Sequence, residues 1–143
     1  MNRTRATALL FVAALGGVTA STAIAQERMR AGLWEMTTTK GGETINSGKR
    51  CFTAEEAGGN NGDAKTTRDT LVKSFAKASC AVKDIKVTDK TISYTADCNG
   101  AQAHELSSVA EYHGDTMEIQ MTVKQSTSTY ATITKGHRVG ACP

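Results

Sequence analysis

The sequence has a single proline among 143 residues, and its 13 glycines follow no period, which excludes collagen-like and proline-rich architectures. Outside the N-terminus there is no long apolar run. The one there, Ala6 to Ala20, is 15 residues, short of the ~20 a bilayer-spanning helix needs. No pair among the four cysteines has the C-x-x-C spacing of a redox or zinc site, and no C-x-x-C-H haem motif occurs. H-E-x-x-H and the G-x-S-x-G nucleophile elbow are missing too. The glycine-rich stretch 58–62 lacks the lysine and the strand-to-helix context of a phosphate loop. With 39% hydrophobic residues the chain is too apolar to be disordered, and its length fits one domain.

What is present begins with an address. Arg3 and Arg5 form a short positive region, Leu9, Leu10, Phe11, Val12 and Leu15 centre an apolar one, and Ala23-Ile24-Ala25 reads as a small-x-small cleavage site. Together these predict a secretory signal peptide over residues 1–25 and a single mature domain over 26–143. The mature chain starts at Gln26, carries no transmembrane anchor, and has a net charge of 15 minus 14, or +1. That near-neutral balance leaves no electrostatic footprint for nucleic acid.

All four cysteines survive cleavage, and an even count in an exported small domain implies disulfides, with three pairings possible. The segment from Cys80 to Cys98 chooses among them. Ile92, Tyr94, Ala96 and Cys98 alternate and so share one strand face. Cys80 and Val82 are out of phase with Ile85 and Val87, and one inserted residue near Lys83-Asp84 restores the phase. A two-residue turn at Asp89-Lys90 then sets Val87 opposite Ile92, Ile85 opposite Tyr94, Val82 opposite Ala96 and Cys80 opposite Cys98. By elimination Cys51 pairs with Cys142.

The remaining pattern reads as strands over Gly32–Thr39 and Thr44–Phe52, then a capping box, Thr53 to Glu56, opening a short helix that stops at Gly58-Gly59. A longer helix is capped by Asp63 or Thr66 and runs to about Ala78 with Leu71, Val72, Phe75 and Ala78 as its stripe. Strands follow at 103–112, Thr116–Lys124 and Tyr130–Val139, with a tight turn at His113-Gly114-Asp115. The expected fold is α+β: a curved antiparallel sheet of six to seven strands, one main helix, a short capped helix and two disulfides.

Candidates for chemistry are few. His104, His113 and His137 are the only histidines, and each reads as a solvated surface residue. Met36, Met117 and Met121 have thioethers that suit Cu(I), but Met117 and Met121 alternate with Ile119 and Val123 as in a buried strand. Trp34, Met117, Ile119 and Met121 are therefore candidates for core, or for the lining of an apolar pocket between sheet and helix. No residue pattern calls for a metal or a cofactor.

Several segments together resemble a known family: Gly32-Leu33-Trp34-Glu35, Cys51-Phe52-Thr53-Ala54-Glu55-Glu56-Ala57, Tyr112-His113-Gly114-Asp115-Thr116, the Cys80 to Cys98 hairpin and the end Gly140-Ala141-Cys142-Pro143. This combination is similar to the exported bacterial proteins grouped as domain of unknown function 3617. The resemblance implies a periplasmic location and no particular activity. Here Thr88-Asp89-Lys90 stands where relatives are expected to carry a Gly-Asn turn. The expectation is a small periplasmic domain acting without catalysis, as a binding or envelope-interaction module for an apolar ligand or an envelope protein. The alternative is a periplasmic enzyme whose site is assembled from scattered residues.

Overall fold

The computed structural model describes residues 27–99 and 103–143; the expected signal peptide and its cleavage site lie outside them. The elements run β1 (Gly32–Lys40), β2 (Glu43–Phe52), α1 (Ala54–Asn61), α2 (Ala64–Ala76), β3 (Cys80–Val87), β4 (Thr91–Cys98), β5 (His104–Tyr112), β6 (Thr116–Gln125) and β7 (Thr129–Gly140). The seven strands form one sheet in the order β2-β1-β7-β6-β5-β4-β3, with every pairing antiparallel. The α+β reading from the sequence holds, with both disulfides in place: Cys51–Cys142 and Cys80–Cys98.

Why these residues make this sheet is clearest at the hairpins. Gly41 and Gly42 turn β1 into β2 with φ of 59° and 89°, the left-handed pair that a two-residue turn of this hand requires. In the β3–β4 hairpin, Cys80 faces Cys98, Val82 faces Ala96 and Val87 faces Ile92, as the alternation predicts. The extra residue is at Asp84-Ile85, where Asp84 takes φ 54° and its carboxylate accepts from the Thr95 hydroxyl at 3.0 Å. The tight turn works without a Gly-Asn pair because the Thr88 hydroxyl accepts from the Thr91 N–H at 2.9 Å.

One sheet face carries the core. Trp34 heads it and is 0% exposed, its indole N–H donating to the Arg30 carbonyl at 3.0 Å and its ring meeting Phe52 edge-on at 6.1 Å. Met29, Ile92, Ala110, Tyr112 and Met117 pack with it, and a second cluster joins Ala96, Cys98, Leu106 and Val123. Tyr94 packs against both.

The helices differ from the sequence reading in two places. The expected stop at Gly58-Gly59 is wrong: α1 continues through both glycines to Asn61. Tertiary contacts override their poor helix propensity. The Asn61 side chain clasps Met29, accepting from its N–H at 2.9 Å and donating to its carbonyl at 2.7 Å. The buried Arg28 guanidinium donates to the Gly62 carbonyl at 2.9 Å and to that of Asn60. In α2, capped by Asp63 and not Thr66, the sheet-facing stripe is Thr67, Leu71 and Phe75, spaced four apart. Val72, expected in it, is 45% exposed, and Ala78 lies beyond the helix end.

Candidate functional site

The helices cover one face of the sheet, so alternation sends every second residue of the other face toward solvent. Register then assembles rows of polar side chains from strands distant in sequence. One row runs Lys49, Glu35, His137, Thr116 across β2, β1, β7 and β6. The next runs Ser47, Thr37, Lys135, Glu118, Glu111 across β2, β1, β7, β6 and β5. Between them lies an open groove of about 440 Å³, lined by Glu35, Thr37, Glu111, His113, Thr116, Met117, Glu118, Lys135, Gly136 and His137.

Ionic contacts line the groove. Glu35 is shared: one oxygen lies 3.2 Å from the Lys49 ammonium and the other 3.3 Å from His137 Nε2. His113 Nε2 is 3.1 Å from Glu111, and Lys135 is 3.5 Å from Glu118. The Gln120 amide donates to Glu118 at 3.0 Å and, with Lys135 adding to it, holds that carboxyl below its usual range. Gly136 leaves room for Met36 and Met117 on the opposite face, since a Cβ there would lie 2.6 Å from the Met36 sulfur.

These side chains stay wet. His137 is 58% and Glu35 43% exposed, so their mutual attraction is screened and contributes little to stability. The groove is open, so water reaches every one of these groups. What it offers is a patterned surface of carboxylate, imidazole, ammonium and hydroxyl groups. Among the described residues no group of three or more His, Cys, Asp or Glu is set to hold a metal ion, and all four cysteines are in disulfides. No helix among them is long and apolar enough to cross a membrane.

The four residues singled out for an apolar pocket fall into two groups. Trp34 and Met117 lie in the main core cluster with Ile119 against it, while Met121 packs on the second cluster. Met117 alone also reaches the groove. Of the histidines, His137 and His113 face the groove, whereas His104 sits at the start of β5, opposite Cys98 and Gln125. The Glu35–His137 pair escaped the sequence reading because the residues are 102 apart (137 minus 35) and meet only through the β1–β7 register. Glu111 and His113, two apart, carried a local signal.

A sequence model of the family described as "Protein of unknown function (DUF3617)" matches residues 29–142. No curated protein and no solved structure matches the chain.

Proposed function

The chain belongs to the DUF3617 family, whose description carries no activity, and from that premise we propose that it is an exported, periplasmic, non-catalytic module that binds an envelope protein through the groove on its uncovered sheet face. The observation that carries the proposal is the groove itself: open, polar, and lined by the three carboxylates Glu35, Glu111 and Glu118 against two ammoniums, Lys135 within it and Lys49 beside Glu35. That surplus of carboxylate suits a partner segment bearing basic and hydroxyl side chains. Export is supported by the pattern from Arg3 to Ala25, and two disulfides are what an oxidising compartment permits.

The test is native mass spectrometry of the protein purified from periplasm, with N-terminal sequencing of the same sample. The sequence should begin at Gln26. A retained protein partner should be lost in the variant Glu35→Lys/Glu118→Lys. A start at Met1, or a retained apolar ligand indifferent to those changes, would overturn the proposal.

One observation favours a second reading. His137 beside Glu35 in a polar cleft is the arrangement that an acid–base enzyme of scattered residues would use. It predicts turnover of a periplasmic substrate that His137→Gln abolishes, with partner binding unaffected.

A further inference from the structure

We propose that the chain pairs with a second copy of itself along β2, joining two seven-stranded sheets into one across a two-fold axis at Ser47. The proposal stands on the sheet edge and is independent of what the groove binds. β2 is an edge strand of ten residues, paired only with β1, and Glu43 to Arg50 are all exposed. An edge of that length presents a row of backbone N–H and C=O groups ready to accept another strand. The opposite edge, β3, is occupied: α2 packs on it, Arg68 donates to the Ile85 carbonyl at 3.3 Å, and the bulge at Asp84 bends it.

The occupant is a second copy because β2 is self-complementary. Its only acid, Glu43, stands at the start, and its cations, Lys49 and Arg50, stand near the end. Antiparallel pairing therefore sets the acidic end of each copy against the basic end of the other. The faces agree as well. A two-fold perpendicular to the sheet keeps core face beside core face, and Glu43 and Arg50 are both on that face, opposite Lys40 and Trp34 of β1. With Ser47 opposite Ser47 of the second copy, Asn46 meets its Gly48. The irregularity of β2 at Ile45 then absorbs one residue, so Thr44 meets Lys49 and Glu43 meets Arg50 of the second copy. No like charges oppose each other.

The charged groups this join needs are exposed. Glu43 has no ion pair among the described residues, because the Lys40 ammonium lies over the Tyr130 ring at 4.3 Å. Arg50 is exposed, holds Glu56 at 3.1 Å and lies over the Phe52 ring at 4.4 Å, and its guanidinium keeps further N–H donors at its edge for a second carboxylate. Ile45, 55% exposed, is covered by the join, and Gly48 leaves open space for it, since a Cβ there would meet nothing within 4 Å. The same two-fold turns both grooves to one side, so a dimer presents two binding surfaces to a single envelope partner.

The test is light scattering of the mature protein over a dilution series, combined with cysteine cross-linking. Wild type should show twice the monomer mass. Ser47→Cys should give a covalent dimer under oxidation, because directly opposed strand residues sit about 4.5–5.5 Å apart, within disulfide reach. Thr44→Cys, opposite Lys49, should give none. Glu43→Arg should lose the dimer and Glu43→Arg/Arg50→Glu should regain it. A monomer at every concentration, or a dimer that Ser47→Cys fails to trap and the charge swap fails to restore, would overturn the proposal.

Discussion

Gly32 shows how tightly single positions are specified. It sits at φ 144°, and a Cβ there would lie 2.3 Å from the Gly140 carbonyl and 2.5 Å from Arg138 Nε. The Arg138 guanidinium, which donates to the Ala31 carbonyl at 2.8 Å, needs that space. Gly32→Ala therefore combines backbone strain with a clash and should cost about 3 kcal/mol or more in urea unfolding. Tyr112 gives a second residue-level prediction. Burial, with the neighbouring Tyr94 hydroxyl adding to it and Arg28 opposing, pushes its pKa up to about 12. The unfolded phenol ionises near 10, so between about pH 10 and 12 only the unfolded state releases the proton. Stability held below pH 10 is lost as pH rises through that window, by about 2–3 kcal/mol. Tyr112→Phe should flatten that slope relative to wild type.

At the scale of elements, the β3–β4 hairpin was legible because two constraints met in it. Alternation in β4 assigned a face, and the mismatch in β3 demanded one extra residue. The structure puts Asp84 and Ile85 together opposite Tyr94, between the pairs Lys83–Thr95 and Lys86–Ser93. Deleting Asp84 alone should restore a regular ladder, keep the Cys80–Cys98 bond, and cost no more than about 1 kcal/mol for the lost hydrogen bond to Thr95. Deleting Asp84 and Ile85 together should move Cys80 opposite Asp97, on the wrong face, and abolish the bond. Non-reducing peptide mapping reads both outcomes. The helices were less legible, because their ends depend on residues far away. Gly58-Gly59 reads as a stop until Met29 and Arg28 dock against Asn60, Asn61 and Gly62. Val72 reads as core until the packing of Leu71 and Phe75 fixes the rotation of α2.

At the scale of the molecule, the two disulfides secure opposite edges of the sheet. Cys51 is next to last in β2, and Cys80 begins β3, with sequence separations to their partners of 91 and 18. In the loop-entropy account these closures contribute about 4.6 and about 3 kcal/mol, large against a typical net stability of about 5–15 kcal/mol. The core face was readable from the chain, since Trp34, Met117 and Val123 fall on strands with clear alternation. The groove was not, because β7 inserts between β1 and β6 and only that order brings Glu35, Lys135, His137 and Glu118 together. The two faces differ accordingly: one carries the buried core and the Cys80–Cys98 bond, and the other is open and ionic, the face proposed above for recognition.

That division is tested most directly by photo-cross-linking in the periplasm from single positions on each side. Thr37 lines the groove, and Val72 is exposed on the helix side. A photoreactive residue at Thr37 should capture an envelope protein, and Glu118→Lys should abolish the adduct without changing the melting temperature by more than a few degrees. Capture from Val72 with none from Thr37, or an adduct at Thr37 that survives Glu118→Lys, would contradict the assignment of recognition to the open face.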